Sequence, residues 1–214
     1  MPKFCGFYLH GFLSSGKSSK GQWFAEQVRQ NSSCAEEAGF ITWLTPTYPI
    51  ATVSQTVKTI EDELLGLLGD INCEDRVILI GSSMGGFYVQ YLGHKYHLPY
   101  IMINPALNPE AVFIDHMGEH INPATGEKVV INQSYIDDLL KYEIDNPDVS
   151  IASMMLLDID DEVIDVDFAL KHYPVNRTGN QANKTVIYSG GDHSFIHLEE
   201  AWEDIQVFAS QLSV

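Results

Sequence analysis

Residues 77–86 read Val-Ile-Leu-Ile-Gly-Ser-Ser-Met-Gly-Gly, an apolar run that leads into the pattern G-x-S-x-G with Ser83 at its centre. A short apolar run of this kind predicts a buried strand. Gly81 and Gly85 carry no side chains, which permits a sharp reversal from that strand into a helix. This layout is typical of a nucleophile elbow, in which a serine stands exposed above a sheet. Chance alone supplies about 0.07 such patterns in a chain of this length, so the surrounding elements must support the assignment.

Strand-length and helix-length patterns alternate along the rest of the chain. Short apolar runs predict six strands at residues 4–9, 40–44, 76–80, 99–103, 153–158 and 185–189. Helical patterns occupy residues 19–30, 53–68, 85–95, 165–172 and about 198–212. Parallel strands need crossovers of this kind. The sequence therefore predicts a single α/β domain over residues 1–214, doubly wound around a mainly parallel six-stranded sheet in the order 2-1-3-4-5-6.

The stretch 104–150 breaks this alternation. It contains Pro105, Pro109, Pro123 and Pro147 and shows only short helical fragments. A connection this long is usually functional or mobile, and ligands of such folds bind at the carboxyl ends of the strands. We expect a lid-like insertion over that edge, whose apolar side chains suit an acyl chain; a surface elaboration with no role in binding is the alternative.

Composition narrows the possible partners and location. The chain has 214 residues, 45% of them hydrophobic, which is enough for a core without disulfides or metal. A net charge of −17 disfavours nucleic acid and anionic membrane surfaces. Three widely spaced cysteines, Cys5, Cys34 and Cys73, fit reduced thiols. The apolar run at the amino terminus reaches His10 too soon for a signal peptide, and no apolar stretch is long enough to insert into a membrane. We therefore expect a cytoplasmic protein. The oligomeric state is left open.

A serine hydroxyl needs a base to accept its proton and an acid to orient that base. In this type of fold both follow the serine in the chain, each just after a strand. His193 lies in the turn after the last predicted strand and is the candidate base. The strand at 153–158 runs into a group of carboxylates, among which Asp161 is the candidate acid and Asp160 and Asp158 are alternatives.

Acyl transfer also requires hydrogen-bond donors for the developing oxyanion. The backbone NH of Met84 directly follows the candidate nucleophile. The loop after the first strand supplies a second candidate, the backbone NH of Phe12, beside Gly11, which lets the chain approach closely. His10 is interpreted as a residue that braces this loop. The two loops meet only if the first and third strands are neighbours.

Residues 11–18 compete with this interpretation, because Gly-Phe-Leu-Ser-Ser-Gly-Lys-Ser satisfies the phosphate-binding pattern G-x-x-x-x-G-K-[ST]. Chance supplies only about 0.007 such matches. Phosphoryl transfer relies on cationic groups, yet the chain has three scattered arginines and a strongly negative net charge. Lys17 can instead be a solvated lysine at a helix start. A nucleotide-binding protein remains the alternative, as does a catalytically silent binding module.

A second competing pattern is H-x-x-E-H at residues 116–120, a zinc-protease signature. It requires a helix that places His116 and His120 on one face, and Gly118 weakens such a helix by up to about 1 kcal/mol relative to alanine. We therefore predict polar histidines of the insertion and no metal.

Taken together, the motifs resemble the YqiA-type esterases, small bacterial members of the α/β-hydrolase superfamily. The resemblance rests on LHGFLSS at 9–15, GSSMGGFY at 81–88, INPA at 103–106, NPATGE at 122–127, DDEVID at 160–165 and GGDHSF at 190–195. It implies a reduced α/β-hydrolase fold and a triad of Ser83, Asp161 and His193. It also implies hydrolysis of small carboxylic esters or acyl thioesters without a cofactor, with Phe87, Tyr88 and Asn104 around the substrate pocket.

Overall fold

The computed structural model describes residues 3–31, 39–70, 76–175 and 183–212. Its strands are β1 (Lys3–Leu9), β2 (Gly39–Leu44), β3 (Arg76–Ser82), β4 (Tyr100–Ile103), β5 (Gly118–Ile121), β6 (Lys128–Ile131), β7 (Ser153–Asp158) and β8 (Lys184–Tyr188). Its helices are α1 (Ser19–Asn31), α2 (Val53–Asp70), α3 (Met84–Tyr96), α4 (Pro109–Phe113), α5 (Gln133–Leu140), α6 (Val166–His172) and α7 (Leu198–Gln211).

Six strands form one sheet in the order β2-β1-β3-β4-β7-β8, and all neighbouring pairs are parallel. The predicted order 2-1-3-4-5-6 of the main strands is thus confirmed. β1 and β3 are adjacent, with Leu9 paired to Gly81 at their carboxyl ends. The loops that follow these two strands therefore start side by side at one edge of the sheet.

The central strands are apolar throughout because both faces of the sheet are covered. In β3, Val77 and Leu79 belong to the cluster packed under α2 and α3, whereas Ile78 and Ile80 belong to the cluster under α1 and α7. Successive side chains of a strand point to opposite faces, so a sheet buried on both sides selects continuous apolar runs. Those runs are the signal that made the strands predictable from sequence.

The insertion differs from its prediction, because it contains an antiparallel hairpin of β5 and β6 as well as short helices. The sequence analysis predicted only helical fragments there. β5 reads Gly-Glu-His-Ile and has no buried residue, so it carries no apolar signal. In β6 only Val129 and Ile131 are buried, and both join the core under α2 and α3.

Polar contacts fasten this hairpin to the loops beside it. The Asn122 side chain donates to the Ser14 carbonyl at 2.8 Å. The Glu127 carboxylate accepts the backbone NH groups of Ile50 at 3.0 Å and Ala51 at 2.9 Å. Both anchoring residues belong to the motif NPATGE. This motif is therefore explained by attachment of the insertion to the rest of the fold.

Two further expectations concern membrane spans and the cysteines. None of the helices within the described ranges is long and apolar enough to cross a membrane. Of the three cysteines, Cys5 is buried in β1, while Cys34 and Cys73 lie outside the described residues.

Candidate active site

Ser83 lies at the junction of β3 and α3 with an unusual backbone conformation, φ 55° and ψ −122°. A left-handed φ is costly for a residue other than glycine and persists where the surrounding structure enforces it. A Cβ at Gly81 would lie 2.1 Å from the Gly85 carbonyl oxygen, and a Cβ at Gly85 would lie 2.1 Å from the Leu9 carbonyl oxygen. Both glycines of G-x-S-x-G are thus required by close backbone packing.

Three predicted residues come together at the carboxyl edge of the sheet. His193 Nε2 lies 3.0 Å from Ser83 Oγ. On the other side of the ring, Nδ1 lies 2.8 Å from Asp161 Oδ2 and 3.1 Å from Oδ1. An ionised carboxylate can only accept, so the ring proton belongs on Nδ1, and Nε2 is left to accept from the serine hydroxyl. The side chain of Asp161 is fully buried and that of His193 is 24% exposed.

The Asp161 carboxylate is held as an anion by its surroundings. It accepts the backbone NH groups of Val163 at 2.8 Å and Ile164 at 3.1 Å, besides the bond from His193. Burial raises the pKa of this carboxyl, but the hydrogen bonds from His193, Val163 and Ile164 outweigh burial and hold the pKa below its usual value. Of the alternatives, Asp160 is exposed and Asp158 faces a different histidine.

That second pair was missed by the sequence analysis. His197 Nδ1 lies 2.7 Å from Asp158 Oδ1. Asp158 Oδ2 accepts the backbone NH groups of Asp192 at 3.3 Å and Ile196 at 3.0 Å, so this carboxylate holds both ends of the turn that carries His193. The available signal was the spacing of the two histidines, four residues apart, next to a strand that ends in aspartate.

The loop after β1 lies against Ser83. A Cβ at Gly11 would approach Ser83 Cβ to 3.2 Å. Phe12 and Met84 both line the cavity that contains Ser83, and the NH of Met84, the first residue of α3, has no acceptor within its helix. The structure thus brings the two residues predicted to supply oxyanion donors to the same cavity.

His10 has the surroundings of a structural residue. It is fully buried, its ring stacks on Tyr48 at a centroid distance of 4.0 Å, and Nδ1 contacts the Gly11 carbonyl at 2.8 Å. The Tyr48 hydroxyl donates to the carbonyl of His10. Burial lowers the pKa of His10 to about 4, so the ring is neutral near pH 7 and braces the loop.

A cavity of about 370 Å³ opens over Ser83 and His193. Its apolar lining includes Phe12 and, from the insertion, Val112 and Phe113; His116 and His120 complete the insertion's contribution. The rings of Phe12 and Phe113 pack edge to face, with their centroids 4.9 Å apart. The sequence predicted that both histidines belong to the insertion, but not that they line this cavity.

Three residues expected around the pocket lie elsewhere. Phe87 is fully buried in the core under α2 and α3, and Tyr88 borders a small adjoining crevice with Tyr48 and Tyr135. Asn104 is fully buried and crosslinks two turns, since its side chain accepts the Asp158 NH and donates to the Asp192 carbonyl, both at 2.9 Å. The structure thus places these residues behind the cavity as packing and bracing groups.

The phosphate-binding pattern at 11–18 does not form an open cradle. The backbone NH groups of Gly16, Lys17 and Ser18 donate to Thr47 Oγ1, Ser15 Oγ and the Ser15 carbonyl at 2.9, 3.2 and 2.9 Å. Backbone NH groups that already have protein acceptors are not free to bind phosphate oxygens.

The H-x-x-E-H residues do not share a helix face. His116 ends a 3-10 turn, whereas His120 lies in β5 and its Nε2 contacts the His116 carbonyl. Gly118 between them has φ +128°. Within the part of the chain that the structure describes, no group of three or more potential ligands could hold a metal ion.

Comparison with solved structures places this architecture in a known class. Alpha/beta hydrolase domain-containing protein 10 from mouse matches with a TM-score of 0.66 at 17% identity, covering 98% of this chain and 90% of that one. Est1E from Butyrivibrio proteoclasticus matches with a TM-score of 0.69 at 14% identity, covering 98% and 88%. A structure of the metagenome-derived lipolytic enzymes LipS and LipT gives 0.62 at 15% identity, covering 96% and 93%. The fold is that of an α/β hydrolase.

The family follows from the sequence itself. The model of the uncharacterised protein family UPF0227 matches residues 6–210, nearly the whole chain. The chain therefore belongs to UPF0227, the YqiA family, as the motifs indicated.

Proposed function

We propose that this protein is a serine hydrolase that cleaves small carboxylic esters or acyl thioesters through an acyl-enzyme on Ser83. The observation that carries the proposal is the continuous line from Ser83 Oγ through the His193 ring to Asp161, with contacts of 3.0 and 2.8 Å. Neither nucleic acid nor a cofactor has a role in this reaction.

In the first half-reaction, Ser83 Oγ attacks the carbonyl carbon of the substrate while its proton passes to His193 Nε2. Asp161 holds the ring in the required tautomer and stabilises the imidazolium. The backbone NH groups of Phe12 and Met84 donate to the oxyanion of the tetrahedral intermediate. The intermediate collapses, the bond to the leaving oxygen or sulfur breaks, and that atom takes the proton from His193.

In the second half-reaction, water loses a proton to His193 Nε2 and attacks the acyl carbon of the acyl-enzyme. The second tetrahedral intermediate uses the same two donors. When it collapses, the carboxylic acid leaves and Ser83 regains its proton from His193. The cycle consumes one water molecule and needs no metal.

A fluorophosphonate probe tests the nucleophile directly. Wild type is expected to be labelled and to hydrolyse 4-nitrophenyl butyrate, and Ser83→Ala is expected to lose both the label and the turnover. Ser82→Ala is the matched control, because it removes the neighbouring hydroxyl of the same motif; it should still be labelled. Labelling that persists in Ser83→Ala would contradict the proposal.

The alternatives give different results in the same experiment. A silent binding module would show neither label nor ester turnover. A nucleotide-binding protein would be stabilised by ATP with Mg²⁺ in thermal denaturation while Ser83→Ala behaved as wild type. Comparing kcat/KM over acyl esters and acyl-CoA thioesters of graded length then separates an esterase from a thioesterase.

A further inference from the structure

The lining of the cavity over Ser83 is chemically mixed. Phe12, Val112 and Phe113 contribute apolar surface, whereas Ser18, Ser19 and Lys20 contribute hydroxyl groups and a positive charge. Of the described residues that line the cavity, Lys20 is the one lysine or arginine. The chain as a whole carries 29 acidic and 12 basic residues, so a partly buried cation here is unusual for this protein.

Lys20 lies on the side of His193. Its Nζ donates to the carbonyl of Ser194, the residue after His193, at 2.8 Å. An ammonium group has three N–H donors, so this bond leaves two for a ligand. The carboxylates of Asp161, Asp192 and Asp158 act on Lys20, and two of them, Asp161 and Asp158, are each hydrogen bonded to an imidazole.

The proton transfer from His193 determines which half of the substrate lies on the Lys20 side of the cavity. His193 Nε2 must deliver its proton to the leaving atom, so the leaving group lies against the imidazole and the acyl group lies beyond the serine. Val163 also lines the cavity, and its backbone NH donates to Asp161, the partner of His193. Its side chain therefore offers an apolar contact on the His193 side.

Resting on the proposed function, we propose that Lys20 binds a carboxylate on the leaving group, and that the substrates are esters with an apolar acyl part and an anionic alcohol part. Burial lowers the pKa of the Lys20 ammonium, against the opposing effects of Asp161, Asp192 and Asp158. A partly desolvated cation of this kind gains more from an anionic ligand than a fully hydrated one does.

Two nearly isosteric esters test the assignment: the butyrate esters of 4-hydroxybenzoate and of 4-hydroxybenzamide. Each kcat/KM is divided by the rate of hydroxide-catalysed hydrolysis of the same ester, which removes the difference in intrinsic reactivity. The ratio of the two corrected values, carboxylate over amide, is expected to be about 10 in wild type, corresponding to about 1.4 kcal/mol. The difference should appear mainly in KM.

Variants of two lysines locate the effect. Lys20→Met keeps the length of the side chain without charge and should bring the ratio to about 1, whereas Lys20→Arg should keep it well above 1. Lys17→Met removes the same charge from an exposed position outside the cavity lining and should keep the wild-type ratio. Because each ratio is measured within one preparation, partial unfolding of a variant cancels.

Three results would overturn the inference. One is a wild-type ratio near 1. Another is a Lys20→Met variant that loses activity toward both esters in parallel and keeps the wild-type ratio, since that is the behaviour of a lysine that only positions the His193 turn. Failure of wild type to hydrolyse either ester while it still hydrolyses 4-nitrophenyl butyrate would also overturn the inference alone. Failure on all three esters together with absent fluorophosphonate labelling would contradict the proposed function, so the two failures are distinguishable.

Discussion

Two Asp–His pairs lie at the carboxyl ends of β7 and β8, and their hydrogen bonds are nearly identical. Asp161 contacts His193 at 2.8 Å, Asp158 contacts His197 at 2.7 Å, and both carboxylate side chains are fully buried. They differ in their other contacts. His193 presents its second ring nitrogen to Ser83, whereas Asp158 uses its second oxygen to hold backbone NH groups. The Asp–His hydrogen bond alone therefore does not assign a role to either pair. The further contacts of its two residues do.

Replacing the two histidines should separate the pairs most strongly. His193→Gln removes the proposed base and is expected to lower kcat by about 10⁴-fold or more. His197→Gln is the matched control, because a glutamine there can still donate to Asp158; we expect a loss of less than about tenfold, the cost of a small displacement of the turn. Steady-state kinetics with one ester measures both. Equal losses would contradict the division of roles.

Replacing the two aspartates should lower kcat by different amounts. Asp161→Asn lets an amide donate to His193 Nδ1 and favours the wrong tautomer, so kcat is expected to fall about 10³- to 10⁴-fold. Asp158→Asn should lower kcat by only about 10- to 100-fold.

Stability is the second readout for these variants. Asp158→Asn weakens charge-assisted bonds to three groups, and a loss of about 1–3 kcal/mol in the free energy of unfolding is expected. Denaturant titration followed by circular dichroism measures this loss. A loss well below 1 kcal/mol in Asp158→Asn would be inconsistent with the holding role of Asp158.

Two adjacent glycines test how closely the turn must pack on Asp158. Gly190 and Gly191 have φ of +79° and +82°, but only at Gly191 would a Cβ meet Asp158, 2.0 Å from Oδ2; at Gly190 nothing lies within 4 Å. Gly190→Ala should cost about 1–2 kcal/mol of stability from the backbone conformation alone. Gly191→Ala adds the clash and should cost about 2–4 kcal/mol, with a larger fall in kcat. Thermal denaturation of both variants checks the difference.

The smallest expected effect is on acid stability. The pKa of Asp161 is lower in the folded protein than its usual value, so the unfolded state binds this proton more tightly and stability rises with pH. The contribution is fully present above the unfolded pKa of about 3.9 and is lost as pH falls through the lower folded pKa. The stability of Asp161→Asn should accordingly change less than that of wild type between about pH 5 and pH 2. Parallel curves would exclude this contribution.

The fold was largely predictable because its signals are local. Continuous apolar runs marked the strands, and the sheet order followed from general rules for parallel sheets. The hairpin of β5 and β6 was not predicted, because β5 has no buried residue and β6 has only two. Its anchors, Asn122 and Glu127, bond to loops about 108 and 77 residues earlier in the chain.

The candidate site was predictable in part for the same reason. Ser83, His193 and Asp161 each follow a strand, and the chain order of these residues matches the fold. Phe87 and Tyr88 belong to the motif of Ser83 and Asn104 to another motif of the family, yet the structure buries all three. Lys20 lies in α1. It reaches the cavity through tertiary contacts that no local pattern encodes.

The sequence by itself determined the layered sheet, the sharp turn that carries Ser83 and the edge of the sheet at which the candidate site lies, because burial and backbone reversal depend on nearby residues. Only the tertiary structure decided which of the carboxylates at 158, 160 and 161 meets which histidine. Neighbouring aspartates look alike along the chain, but successive residues at a strand end point in different directions. The turn at 190–197 folds over them, and position in space then assigns one carboxylate to His193 and another to His197.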